Sequence, residues 1–374
     1  MKVAHILGDL RYSGAERMLA CSYQHWQNAG VEPVIVGMAD GQHEYAPILA
    51  AAGYRLLLLP DARSARGLAT LWRALRSLKP DVVHVHSERC FDAITYVAKA
   101  TPAVKATVRT VHSCFDFDGM LRARRKARIA LSNQVGLTWV AVSDDVALVE
   151  ESHWSRPVRV IENWVDVEAL ATDATRNTQI RQQLGIGPKE LVLALVGNCD
   201  IIKNHQLLVE ALSNVELPLH VLHVGATDTQ PKDEAAAWRR LPERHKAHHL
   251  GERGDVPSLL AASDLLAIPS LREGISLIAV EGICTRVPVL AANTQGLRWL
   301  GNVSTATLVR HDPLMWAAAI STGLINKPSE SELAASAVTA NSRFAPERGV
   351  AEYVNAYELG LAGDTRPRRY RQAR

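Results

Sequence analysis

The chain has 374 residues, 47% hydrophobic and 22% charged, a globular balance that excludes a disordered, collagenous or disulfide-scaffold protein. Its purely aliphatic runs, such as residues 56–59, are far short of the ~20 residues that a membrane-spanning helix needs. The net charge of +3 is uneven: Arg122, Arg124, Arg125, Lys126 and Arg128 form one basic segment, Arg366, Arg368, Arg369, Arg371 and Arg374 another, and without those ten charges +3 becomes −7.

In chain order, residues 3–7, 33–36, 55–59, 82–85, 107–111, 139–142 and 158–161 read as short buried strands. Residues 16–28, 68–78, 90–100, 121–131 and 144–153 read as the amphipathic helices between them. A polar stretch over 162–188, ending Gly185-Ile186-Gly187-Pro188, suits a linker and helix stop better than a strand. The alternation then restarts, with strands over 191–196, 219–224, 248–250, 265–268, 287–291 and 306–309 and helices over 206–212 and 255–262. A helical segment over 347–361 has no place that the pattern assigns. Strand–helix alternation predicts parallel sheets covered by helices, hence an α/β protein of two doubly wound, Rossmann-like domains. The expected division is 1–165, a linker over 166–190, 191–345, and a C-terminal helix with a basic tail over 346–374. In such sheets a ligand sits at the carboxyl ends of the strands, so a cleft between the two domains is the expected site.

Residues 1–20 are interrupted by Gly8, Asp9, Arg11 and Glu16, so no hydrophobic signal core is read there. Cys21, Cys90, Cys114, Cys199 and Cys284 show no short paired spacing and suggest neither a zinc site nor a disulfide framework. Free thiols predict a reducing cytosol. The basic segments accompany no nucleic-acid-binding motif, so the expected partner is a local anionic group and not a nucleic acid.

Three loops carry candidate chemistry. In Ser270-Leu-Arg-Glu-Gly-Ile-Ser-Leu-Ile-Ala-Val-Glu281, a strand ends at Pro269 and a helix starts near Ser276, where free N–H groups and the helix dipole attract a phosphate. Gly274 removes the β-carbon that would hinder a close approach. Glu273 and Glu281, eight positions apart, read either as acceptors for the diols of a ribose or sugar, or as a solvated first-turn acid and a partner for Arg286. In Val196-Gly-Asn-Cys-Asp-Ile-Ile-Lys203-Asn, Lys203 stands before a helix, either as a charge for a diphosphate or as a surface lysine. Gly8-Asp-Leu-Arg-Tyr-Ser-Gly-Ala-Glu16 has too few glycines for a dinucleotide fingerprint but ends the first strand. His84 and His86 point to one face of their strand. With no third ligand evident nearby, at least one reads as packing. Cys114 and Cys199 stand at strand ends with nothing to mark either as a nucleophile.

Together these pieces resemble the family-4 retaining glycosyltransferases of GT-B architecture, over nearly the whole chain. The resemblance is carried by Ser13-Gly14-Ala-Glu-Arg, Asp81-Val-Val-His-Val-His86, Val111-His-Ser113, Val140-Ala-Val-Ser143, Gly251-Glu-Arg-Gly-Asp-Val-Pro-Ser-Leu-Leu and Leu271-Arg-Glu-Gly-Ile-Ser-Leu. The Glu273–Glu281 spacing and the segment from Phe344-Ala-Pro-Glu to Tyr357 complete it. It implies sugar transfer from a nucleotide-sugar to a hydroxyl with retention, no cofactor and no bound metal. Gly14, Asn198, Lys203, Glu273, Gly274, Ile275, Ser276, Leu277 and Glu281 would bind the donor, with Lys203 and the N–H groups of 274–277 on the diphosphate. Glu281 would hold the ribose, Glu273 and His112 the sugar. No general base stands out, in keeping with a departing phosphate that takes the acceptor proton. A glycan or lipid-linked acceptor of bacterial surface-glycan or glycolipid assembly would meet the first domain. The segments 122–128 and 366–374 would contact an anionic membrane surface from the cytoplasm.

Two departures stand out. The arginine that the family usually places in the loop ending at Lys203 is replaced by Asn198 or Asp200, and the Asn-Gly-Val-Asp hinge reads Asn163-Trp164-Val165-Asp166. The missing arginine leaves room for a catalytically silent sugar-nucleotide-binding homologue, and the shared two-domain architecture for a sugar-nucleotide epimerase.

Overall fold

The computed structural model describes residues 1–41, 43–170, 174–227 and 231–365, so the basic tail over 366–374 lies outside them. The chain divides into two compact units, Met1–Asp166 with the segment from Ala345, and Val167–Phe344.

The first unit runs β1 (Lys2–Leu7), α1 (Gly14–Ala20), α2 (Tyr23–Asn28), β2 (Glu32–Met38), α3 (Ala46–Ala51), β3 (Arg55–Leu59), α4 (Ala65–Leu78), β4 (Val82–Val85), α5 (Phe91–Lys99), β5 (Ala106–Val111), α6 (Gly119–Asn133), β6 (Leu137–Ala141), α7 (Asp144–Trp154) and β7 (Arg159–Val160). The seven strands form one parallel sheet in the order β3-β2-β1-β4-β5-β6-β7. The central strands are buried on both faces, as helices on each side require. The strand order turns back between β1 and β4, which makes that the switch point of this sheet.

The second unit runs α8 (Val167–Leu170), α9 (Ala174–Gln183), β8 (Leu191–Val196), α10 (His205–Leu212), β9 (Leu219–Val224), α11 (Lys232–Trp238), β10 (Lys246–His249), α12 (Val256–Ala261), β11 (Leu265–Ile268), α13 (Leu277–Cys284), β12 (Val289–Ala292), β13 (Ala306–Val309), α14 (Pro313–Ile325) and α15 (Glu330–Arg343). Its six parallel strands follow the order β10-β9-β8-β11-β12-β13, with the switch point between β8 and β11. The last helix, α16 (Pro346–Leu361), belongs to the first unit.

Several expectations need correction. The single helix expected over 16–28 breaks at Cys21–Ser22. The buried Ser22 hydroxyl donates to the Leu19 carbonyl at 3.0 Å and accepts from Trp26 Nε1 at 3.1 Å, a local alternative to the helical ladder. The polar stretch over 162–188 contains α8 and α9, and Arg181 fixes α9 by donating to the Ala262 carbonyl at 2.9 Å and to Asp264 Oδ2 at 2.8 Å. The short helix α3 has no counterpart among the expected elements.

The basic segment 122–128 is partly buried and ion-paired within the first unit. Arg125 is 2% exposed and pairs with Glu88 at 3.2 Å and with the buried Glu150 at 2.9 Å. Arg128 pairs with Asp92 at 2.7 Å, and Leu121 is 59% exposed. The neutralising acids come from other elements and are invisible in a local count. Arg109, buried on β5, also pairs with Glu88 and lies over the Phe91 ring, 4.3 Å from its centroid.

The replaced hinge glycine has a physical account. Trp164 is buried, donates from Nε1 to the Met18 carbonyl at 2.8 Å and packs edge-on to Trp26 and Tyr353. Gly349 on α16 makes room for it, because a β-carbon there would lie 2.0 Å from the Trp164 ring. Tyr353 and Tyr357 carry α16 into the same core, where Tyr353 OH meets Thr110 Oγ1 at 2.8 Å and Tyr357 OH meets His84 Nδ1 at 2.7 Å. Among the described residues, no helix is long and apolar enough to cross a membrane.

Candidate functional site

At the switch point of the second unit, β8 ends at Val196 and β11 at Ile268, and the loops that follow them are tied together. Leu271 N–H donates to the Ile202 carbonyl at 2.8 Å and Asn204 Nδ2 to the Pro269 carbonyl at 3.2 Å. Gly225 allows a third loop to close in: its φ is +150°, and a β-carbon there would lie 2.1 Å from the Gly197 carbonyl oxygen. Asn198 Oδ1 accepts from the Ala226 N–H at 2.9 Å, so that side chain braces the loops. Asp200 Oδ1 accepts from the Lys203 N–H at 2.9 Å. Both candidates for the family's arginine position are therefore used in shaping the loop.

The loops bring Lys203 Nζ within 2.8 Å of Glu273 Oε1, with both side chains partly exposed. Ser270 Oγ donates to the same carboxylate oxygen at 2.8 Å. Burial alone would lower the lysine pKa, but the adjacent Glu273 charge outweighs it and the net shift is upward. Lys203 is a firm cation. Glu273 is held from behind, its N–H donating to the Gln295 carbonyl at 3.0 Å. Gly296, at φ +80°, passes so close that a β-carbon would lie 2.4 Å from the Glu273 carbonyl oxygen. Ser270 and the 295–296 loop were not singled out from the sequence, since the latter arrives from beyond β12 and carries no motif.

Ser276 precedes α13 in extended conformation, and among the described residues its buried hydroxyl has no hydrogen-bond partner. The N–H groups of Leu277 and Ile278 precede the helical ladder and face the same end. Ile275 and Leu277 bury their side chains, leaving their backbone as the part that can meet a ligand. Glu281 lies on α13 and is buried, while Glu273, 13% exposed and paired with Lys203, is not the solvated first-turn acid of the alternative reading. The end of α13 thus offers a hydroxyl, N–H donors, an ammonium group and two carboxylates, a set suited to a diphosphate and neighbouring hydroxyls.

In the first unit, the switch point lies between the ends of β1 and β4. Gly14 opens α1 behind Ser13, whose hydroxyl donates to the buried Glu16 carboxylate. Burial raises the Glu16 pKa from an ordinary 4.5 to about 7, although the Ser13 hydrogen bond opposes that shift. His112, just past β5, shares a 3.0 Å hydrogen bond through Nε2 with His86 Nδ1, and His86 Nε2 shares one of 3.1 Å with His5 Nδ1. Burial lowers both His5 and His112 to about 3, so these rings are neutral. The third histidine that the sequence left unseen is His5, placed opposite His84 by the β1–β4 register. Both His84 nitrogens are already engaged, by Tyr357 OH and Thr110 Oγ1, so His84 packs and does not ligate.

Two nucleotide-binding-type α/β units, one with a phosphate-suited helix start, define the class. The family described as Glycosyltransferase Family 4 matches residues 12–169, and that described as Glycosyl transferases group 1 matches residues 190–326. The two matches together take in most of the chain, which belongs to the family-4 glycosyltransferases of GT-B architecture. It is 28% identical over 211 residues to a D-inositol 3-phosphate glycosyltransferase of Xylanimonas cellulosilytica, covering 54% of this chain and 51% of the relative. It is 26% identical over 251 residues to the UDP-Gal:alpha-D-GlcNAc-diphosphoundecaprenol alpha-1,3-galactosyltransferase of Escherichia coli, covering 64% of each. The chain thus spans about half the length of the first of these curated relatives and somewhat under two thirds of the second. Among solved structures, Anabaena HepE in complex with UDP-glucose superimposes with a TM-score of 0.80 at 20% identity, covering 95% of this chain and all of that one. A glycosyltransferase of Rickettsia africae gives 0.82 at 16% identity, covering 96% and 98%. These likenesses do not favour the epimerase alternative.

Proposed function

We propose that the protein transfers a sugar from a nucleotide-sugar to a hydroxyl acceptor with retention at the anomeric carbon. The observation that carries this reading is the contact of Lys203 with Glu273 at 2.8 Å beside the unpartnered Ser276 hydroxyl at the start of α13. The leaving group is a nucleoside diphosphate, whose growing charge must meet donors already in place. Lys203, the Ser276 hydroxyl and the N–H groups of 274–277 supply them. Glu281 takes the ribose diol and Glu273 the sugar hydroxyls, while His112 is assigned to the sugar by family resemblance alone. The UDP-glucose bound by HepE and the undecaprenol-linked acceptor named for the Escherichia coli relative support a nucleotide-sugar donor and a lipid-linked acceptor in surface-glycan assembly.

Incubation with labelled nucleotide-sugars, followed by NMR of the product's anomeric configuration, tests the reading. Retained configuration is expected. Binding without turnover would instead identify the silent homologue that the missing arginine suggests. Turnover is expected without added magnesium, and a strict magnesium requirement would overturn metal-independent diphosphate departure.

We also propose that α6 meets an anionic membrane surface. Met120 is 79% exposed and lies with exposed Leu121, Arg124 and Lys126 on this helix, Arg122 being half-buried. Each basic side chain near such a surface contributes roughly 1 kcal/mol, so three hold the protein weakly and reversibly. Sedimentation with phosphatidylglycerol vesicles at low salt should pellet the protein and high salt should release it. Equal binding to neutral vesicles, or none to either, would remove the idea.

A further inference from the structure

The loop that carries Lys203 also carries Cys199, whose side chain is fully buried. Its Sγ lies 3.5 Å from Nε2 of His223 on β9 and 3.8 Å from Nδ1 of His205, the first residue of α10. The three donor atoms all fall within 4.8 Å of one another. Glu234 on α11, also buried, puts Oε1 3.5 Å from the same Nδ1 of His205. We propose that Cys199, His205 and His223, with Glu234 as the fourth group, form a buried site for a borderline-soft divalent cation, Zn²⁺ by class.

The geometry suits that ion. In a tetrahedral site with Zn–S near 2.3 Å and Zn–N near 2.0 Å, the sulfur and nitrogen ligands stand roughly 3.6 Å apart, close to both distances seen here. A thiolate and two imidazoles select such a metal over the hard cations, which take oxygen ligands. The outer contacts fit as well. His223 turns its other nitrogen to Nδ1 of His249 at 3.2 Å, the second-sphere hydrogen bond that fixes a ligating ring. His249 is exposed on β10 and marks a way in. On binding, the S–H bond of Cys199 breaks, its electron pair goes to the metal and its proton to solvent. The site is separate from the sugar-transfer chemistry. It would clamp the β8–α10 loop, β9 and α11 together and so stiffen the loop that positions Lys203.

The test is a cobalt titration of the full-length protein after removal of metal with a chelator. One equivalent of Co²⁺ should produce a strong near-ultraviolet thiolate-to-metal absorption, lost when Zn²⁺ displaces the cobalt, and Zn²⁺ should raise Tm. Cys199→Ser should abolish the band and weaken Zn²⁺ binding by roughly 100-fold or more, since even outer-sphere changes cost up to that much. Cys114→Ser and Cys284→Ser should keep the band. No thiolate band in the wild-type protein at stoichiometric Co²⁺, or a band that survives Cys199→Ser, overturns the proposal. The first of these results would leave the cluster as ordinary S–H···N hydrogen bonding.

Discussion

The two units build the same kind of parallel sheet but spend their polar groups differently. In the first, Arg109, Arg125, Glu88 and Glu150 neutralise one another, and His5, His86 and His112 are strung together by hydrogen bonds. In the second, the polar groups at the switch point stand at strand ends, where Lys203 and Glu273 keep partial exposure and Ser276 keeps an unused hydroxyl. Buried charges that pair with one another maintain a fold. A partly exposed set at the end of a helix can meet a ligand.

Substitutions can break this contrast. The largest effect is expected from Arg125→Ala, which strands the buried Glu150 carboxylate and should cost about 3–5 kcal/mol in urea unfolding. Replacing both partners, as Arg125→Met with Glu150→Leu, should recover most of that loss. Lys203→Ala should behave in the opposite way, costing roughly 1 kcal/mol of stability or less because its pair is partly exposed. Turnover should nevertheless fall about tenfold or more through the loss of a charge-assisted contact. If Lys203→Ala unfolds the protein as readily as Arg125→Ala does, the contrast between the units is wrong.

Glu16→Gln comes next. Burial raises the Glu16 pKa to about 7, above its ordinary 4.5, so the folded state holds the proton more tightly than the unfolded state. The stability from this group is fully present below pH 4.5, declines as the pH rises towards 7 and is lost above it. The shift corresponds to about 3 kcal/mol across that window. Glutamine should flatten this part of the stability–pH curve, as followed by thermal melts at pH 5 and pH 8. An unchanged curve would place the titrating group elsewhere. The smallest effect is expected from Tyr357→Phe, which removes one buried hydrogen bond to His84 and should cost about 1–2 kcal/mol with little change in donor affinity.

The strands were the most legible part of this chain, because buried parallel strands are continuous apolar runs. Residues 55–59, 82–85, 191–196, 219–224, 265–268 and 306–309 match the structure at both ends. What stayed hidden depends on partners distant in sequence. Arg125 looks like one of five surface cations until Glu88 arrives from the loop after β4 and Glu150 from α7. His84 and His86 lack a third histidine until the β1–β4 register supplies His5. The pieces of the candidate site were legible as a strand, a glycine-containing loop and a helix start. The Lys203–Glu273 contact itself was not, since it joins two loops 70 positions apart.

The placement of α16 has a consequence for the order of events during synthesis. The second unit is one uninterrupted segment, Val167–Phe344, inserted into the first, whose core waits for Tyr353 and Tyr357. His84 must therefore meet a hydroxyl that leaves the ribosome 273 residues later. The domain that begins first is completed last, after the inserted domain has had its whole sequence available for folding. Until then its sheet exposes the apolar face that α16 will cover, and this interval is when the growing chain most needs protection from aggregation.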